Sequence, residues 1–241
     1  MASIQLVVFD MAGTTVRDRN EVQDCFFKAA EMTGLKADSG RINSMMGRSK
    51  KFVFQTLWAE QIEPNNPRYS SRVEQSYAAF KQILENHYLT QPVEPKDGCL
   101  ELFNWLKQNQ IKIALNTGFS RKVTNIILKR LGWDVGLNSD YVGTENSTVQ
   151  VSVTPDEIYQ NEGRPAPYMI QKAMYKLGIK DSKTAIHIGD TPVDLEAGIN
   201  ANCLLSLAVT DGSHTREQLQ KYPNQGLLNS LNELKNIIID L

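Results

Sequence analysis

Three short polar clusters in the 241-residue chain combine residue types that could carry chemistry. In Phe9-Asp-Met-Ala-Gly-Thr-Thr15 a carboxylate, Asp10, ends an apolar run, and the glycine that follows lets backbone amides turn inward. In Leu115-Asn-Thr-Gly-Phe-Ser-Arg121 the hydroxyl of Thr117 and the backbone of Gly118 precede a helix start, an arrangement that can cradle phosphate oxygens. In Ile188-Gly-Asp-Thr-Pro-Val-Asp-Leu-Glu196, Asp190 and Asp194 are separated by one helical turn, and two carboxylates facing one way suit a hard cation such as Mg²⁺. Each cluster alone has a plainer explanation: a strand-to-turn junction, a helix cap, a solvated helix start. Their weight lies in falling at equivalent places along the chain.

Those places are the ends of short apolar runs. Gln5 to Phe9 is β-branched and does not alternate, the pattern of a strand buried on both faces of a parallel sheet. Similar runs recur at Ile111 to Asn116, Ala185 to Gly189 and Leu204 to Val209, separated by helix-length segments. This alternation predicts an α/β fold with a doubly wound parallel sheet, whose ligands bind at the carboxyl ends of its strands. The rhythm is broken between about Val16 and Pro95, where three stretches have helical spacing and no strand is visible. In the third, Val73, Tyr77, Phe80 and Leu84 make one apolar stripe, which reads as core. The expected organisation is therefore a catalytic core of residues 1–16 and 93–241, with a helical cap, 17–92, inserted after the first strand. Asp97-Gly98 is expected to start the next helix, with aspartate accepting from free amides.

Composition narrows the function classes. The 26 basic and 27 acidic residues nearly cancel and no basic run stands out, so the footprint of a nucleic-acid binder is missing. No segment approaches the roughly 20 apolar residues of a membrane span, so a cytoplasmic protein acting on a small molecule is expected. Cys25, Cys99, Cys203, His87, His187 and His214 are scattered without the paired spacing of a zinc site or a disulfide framework. Any metal is expected to be held by carboxylates.

Taken in order, FDMAGTT, NTG, Gly163-Arg-Pro-Ala-Pro167 and IGDTPVD resemble the four motifs of the haloacid dehalogenase superfamily. The resemblance implies that Asp10 is a nucleophile that becomes an aspartyl-phosphate. It further implies that Asp10, the main-chain oxygen of Ala12 and Asp190 hold Mg²⁺, with Asp194 supporting them. Thr117, the Gly118 amide and Arg164 would bind the phosphoryl oxygens. The electrostatic logic agrees, because a carboxylate approaches an anionic phosphoryl group only where a cation and fixed donors neutralise the charge between them.

Most phosphatases of this superfamily carry an acid two residues after the nucleophile; here Ala12 stands there. D-x-A-G-T with G-R-P-x-P is similar to phosphonoacetaldehyde hydrolase, or phosphonatase, and its relatives, which cleave a carbon–phosphorus bond after a cap lysine forms a Schiff base with the substrate. Met46-Gly-Arg-Ser-Lys50 has the spacing of that family's Met-Gly-x-x-Lys stretch and nominates Lys50, with Met46, Gly47 and Arg48 forming the cap's substrate loop. Two positions depart from the family: Val53 replaces a histidine and Phe119 a tyrosine. The first reading is thus a phosphonatase-like hydrolase of a small phosphonate or phosphorylated metabolite. The alternatives are a phosphomonoester phosphatase of the phosphoglycolate or sugar phosphate type, in which Lys50 only contacts substrate, and a non-catalytic phosphometabolite-binding protein. Lys50 and Lys51 could also be solvated lysines on a helix surface.

Overall fold

The computed structural model describes residues 4–241. Six parallel strands form one sheet in the order β3-β2-β1-β4-β5-β6. They are β1 (Leu6–Phe9), β2 (Lys112–Asn116), β3 (Val151–Val153), β4 (Ala185–Gly189), β5 (Leu205–Val209) and β6 (Leu227–Leu228). The expected doubly wound α/β sheet is present, and β1 lies at its centre, paired with β2 on one side and β4 on the other. Burial explains why β1 shows no alternation: Val7 and Phe9 point into one apolar cluster and Leu6 and Val8 into a second on the opposite face. The two edge strands were not legible as strands, having only three and two residues.

Between β1 and β2 the chain forms four helices, α1 (Glu21–Thr33), α2 (Ser39–Asn43), α3 (Lys50–Ala59) and α4 (Pro67–Thr90), then α5 (Cys99–Gln108) of the sheet layer. Phe26 of α1 stacks on Phe54 of α3 at 4.1 Å between ring centroids, and Phe80 of α4 closes the group at 5.7 and 6.0 Å. The α4 stripe is buried at Val73, Phe80 and Leu84, with Tyr77 partly so. These aromatics belong to the same apolar cluster as β1, β2, α5 and α6 (Arg121–Leu131), so the helical insertion is packed onto the sheet layer. The two chain segments that join it to the sheet run side by side, bridged by Lys96 N to Thr15 O at 2.9 Å and Arg17 N to Glu94 O at 3.0 Å.

One local expectation fails. Asp97 does not cap α5: Gly98 occupies the cap in a left-handed conformation with no side-chain bond, and the exposed Asp97 carboxylate pairs with Arg17. On the far side of the sheet α7 (Tyr168–Lys176) and α8 (Pro192–Asn200) complete the second layer; α9 (Arg216–Leu219) and α10 (Glu233–Ile239) follow β5 and β6. Among the described residues no helix is long and apolar enough to cross a membrane.

Candidate active site

The strand order reverses at β1 and β4, and a crevice opens beyond their carboxyl ends. Asp10 leaves β1 and Asp190 leaves β4, so backbone pairing alone brings the two carboxylates together. With Asp194, on the first turn of α8, they present oxygens within 4.8 Å of one another, and all three residues are buried. Thr191 and Asp194 form a capping box at that helix start, with Asp194 Oδ2 accepting from Thr191 N at 3.0 Å and from Thr191 Oγ1 at 2.5 Å. Its other oxygen pairs with Arg164. Asp194 is thus set back from the cavity, where it orients the arginine. Arg164 Nη1 also lies 2.6 Å from Asp10 Oδ1.

Burying three carboxylates beside one guanidinium leaves excess negative charge. Burial, and then the charges of Asp194 and Asp190 against the opposing pull of Arg164, push the Asp10 carboxyl up to about 8. Burial followed by Asp194 likewise raises Asp190, although Ser213 N and Oγ both donate to its Oδ2 at 2.7 Å. Against the cost of burial, Asp10 and Asp194 raise Arg164 above its ordinary value and keep it charged. Arg164 Nε is buried without a hydrogen-bond partner, and Asp10 Oδ1 has the Arg164 ion pair but no hydrogen bond of good geometry. Three buried carboxylates clustered as an oxygen-only donor set, with one guanidinium to balance them, fit a hard divalent cation, whose charge would offset the burial and mutual repulsion that raise Asp10 and Asp190.

Ten of the sequence-nominated residues line one cavity of about 420 Å³, counting the part open to solvent: Asp10, Ala12, Met46, Gly47, Arg48, Lys50, Thr117, Gly118, Arg164 and Asp190. Gly47 shows how closely the cap turn sits on the sheet. Its φ is +83°, and a Cβ there would overlap Thr191 Oγ1 and stand 2.5 Å from Val193. A Cβ at Gly118 would meet the main-chain oxygens of Gly47 and Arg48 at 3.4 Å. Lys50 is not a solvated surface lysine. It is 6% exposed at the first turn of α3, its Nζ donates to Met46 Sδ at 3.6 Å, and burial and then Arg164 lower it to about 8. Lys51 is the exposed one, paired with Glu74 at 2.7 Å.

A family model described as haloacid dehalogenase-like hydrolase matches residues 4–202. The chain belongs to that family. Among curated haloacid dehalogenase-like relatives, phosphonoacetaldehyde hydrolase of Bacteroides fragilis is 26% identical over 254 residues, covering 98% of this chain and 88% of its own length. The fold matches a hydrolase from Pseudomonas syringae with a TM-score of 0.80 at 18% identity, over 98% of this chain and 99% of that one. It also matches a phosphonoacetaldehyde hydrolase like protein from Oleispira antarctica, TM-score 0.79 at 16% identity, over 99% and 92%.

The same cavity includes Asp18, Val22, Thr191 and Ser213, which sequence reasoning did not single out, and Phe119. Ser213 could have been found, because Thr210-Asp-Gly-Ser213 follows the carboxyl end of β5 as the recognised clusters follow theirs. Asp18 carries no such signal; its segment crosses from the sheet to the cap, and only the packed structure turns it inward.

Proposed function

We propose that the protein is a Mg²⁺-dependent phosphonatase, which transfers the phosphoryl group of a small phosphonate bearing an aldehyde, such as phosphonoacetaldehyde, to Asp10. The observation that carries this reading is Lys50: among the described residues it makes no ion pair, yet it is buried in the same cavity as Asp10 and lowered to about 8, which makes a nucleophilic neutral fraction available near neutral pH. The names of the relatives at 26% identity over nearly the whole chain support the same substrate class.

Asp10, the Ala12 carbonyl and Asp190 would hold Mg²⁺, whose charge offsets the repulsion between carboxylate and phosphoryl group. Arg164, Thr117 Oγ1 and the Gly118 amide bind the phosphoryl oxygens, and Asp194 keeps Arg164 aimed. Residues 17–92 act as a cap that brings Lys50 over the core of 1–16 and 93–241, moving on the paired segments at Thr15–Arg17 and Glu94–Lys96. Lys50 attacks the aldehyde carbon and, after loss of water, forms an iminium. Asp10 then attacks phosphorus; the carbon–phosphorus pair flows into the iminium and leaves as an enamine. A carbon leaving group stabilised in this way needs no acid at position 12, which is consistent with Ala12.

The test is the release of phosphate and acetaldehyde from phosphonoacetaldehyde with Mg²⁺, compared with 4-nitrophenyl phosphate turnover. Lys50→Arg, which keeps charge and loses nucleophilicity, should cut carbon–phosphorus cleavage by about 10³-fold or more and ester turnover far less. An equal effect on both would make Lys50 a binding residue and the protein a phosphomonoester phosphatase.

A further inference from the structure

Ala12 leaves the cavity without its usual acid, yet Schiff-base formation requires a proton. Before the iminium forms, Lys50 adds to the aldehyde and a proton moves from nitrogen to oxygen, giving a neutral carbinolamine. Its hydroxyl departs only as water. Of the carboxyls lining the cavity, Asp10 and Asp190 are committed to the cation and the phosphoryl group, and Asp18 is the one that remains. We propose that Asp18 is the catalytic acid for this step, and that Glu21 connects it to solvent. The proposal rests on the Lys50 reading above.

Asp18 stands where the chain enters α1. Its Oδ1 accepts from Glu21 N at 2.8 Å, the Glu21 carboxylate accepts from Arg19 N, and the two carboxyl side chains lie close enough to share a proton. Two carboxyls so placed hold one proton between them. Burial and then Glu21 push Asp18 up to about 7. Against its own partial burial, hydrogen bonds from Asp18 and main-chain amides keep Glu21 below its usual range. The proton is thereby assigned to the inner member and the charge to the outer one, the division expected of an acid and its supply. Other groups face the pair: Asp190 across the cavity, Cys25 of α1, and His87 and Tyr88 of α4. Among carboxylates acting on Lys50, Asp18 has the largest influence, ahead of Asp10 and Asp190.

Asp-x-x-Glu at a helix start is also a capping arrangement. Capping accounts for Oδ1 and for the Arg19 amide; it does not require a carboxyl in the cavity wall, where Asp18 stands with Lys50 and Asp10. In the proposed step Asp18 gives its proton to the carbinolamine hydroxyl, the carbon–oxygen bond breaks, water leaves, and the nitrogen lone pair forms the C=N bond. Glu21, a carboxylate at rest, takes a proton from solvent and passes it to Asp18, which is then protonated again for the next turnover.

The experiment uses the full chain with Mg²⁺ and phosphonoacetaldehyde, quenched into borohydride, with the Lys50 adduct measured by mass against time. Asparagine keeps the oxygen that caps α1, so Asp18→Asn should fold. Its adduct rate should fall by about 100-fold, and at least about tenfold more than its 4-nitrophenyl phosphate turnover, whose leaving group needs no proton. Parallel losses in the two assays, or an adduct rate within about threefold of wild type, would reduce Asp18 to a cap and overturn the proposal. Glu21→Gln, which also loosens the hold of Asp18 on its proton, should slow steady-state turnover more than formation of the first adduct; an unchanged steady state overturns the relay. If the wild type forms no adduct at all, the Lys50 reading has failed, and Asp18's role goes with it.

Discussion

Gly47→Ala tests whether the cap turn must seat directly on the sheet for catalysis, and Gly34→Ala is its built-in control. Both glycines adopt left-handed backbone, with φ of +83° and +73°, so each alanine costs about 1–2 kcal/mol in conformation alone. They differ in what surrounds the new methyl group. At Gly34, which ends α1, nothing lies within 4 Å. At Gly47 the methyl overlaps Thr191 Oγ1, a hydroxyl already tied to Asp194, and stands 2.5 Å from Val193 Cγ2. Such crowding adds about 1–3 kcal/mol, for a total of about 2–5 kcal/mol. The overlap is relieved by lifting the Met46–Arg48 turn, which carries Lys50 away from Asp10. The crowding part should therefore fall on the closed state, as a loss in kcat/KM of roughly 5- to 150-fold, with little change in Tm beyond that of Gly34→Ala. Gly34→Ala should lower Tm and leave kcat/KM within about twofold. If the two variants lost the same stability and neither lost activity, the close seating of the turn would play no part in turnover.

Three further outcomes are expected. Asp190→Ala should raise the Mg²⁺ concentration needed for half-maximal turnover by tenfold or more, on the order of one lost charged ligand, as read by a metal titration of phosphate release. Calcium should inhibit in competition with Mg²⁺, because its larger coordination sphere can engage both oxygens of Asp10 and occupy the attacking one. His187, buried on β4 with Nδ1 unpartnered, is pushed down by burial from the usual 6.5 to about 4. The unfolded chain therefore binds a proton there that the fold refuses, and stability should drop by about 2 kcal/mol between about pH 7 and pH 4.5; urea unfolding of wild type and His187→Gln at those two pH values measures it.

What could be read from the sequence was what the backbone itself imposes. A strand buried on both faces shows as an unbroken apolar run, and a carboxylate at its end must project into the crevice; Asp10, Asp190 and the Thr117-Gly118 turn were legible for that reason. The edge strands were not, because two or three residues carry no period. Asp97 misled because a helix can also begin on a left-handed glycine, which leaves the aspartate free for Arg17. Lys50 and Lys51 are adjacent and chemically identical, and only the packing of α3 buries one and exposes the other. Asp18 lies in a connecting segment whose direction depends on how the helices settle on the sheet, so its place in the cavity that Lys50 also lines emerges only in three dimensions.

The most direct test of the central claim is a rapid-quench experiment with phosphonoacetaldehyde, Mg²⁺ and enzyme in excess, followed by peptide mapping. A phosphoryl group should appear on Asp10 before phosphate is released, decay at the rate of phosphate release, and be absent from Asp10→Asn. Phosphate released from the substrate with no protein-bound phosphoryl group at any time, or a phosphoryl group on another residue, would contradict the account.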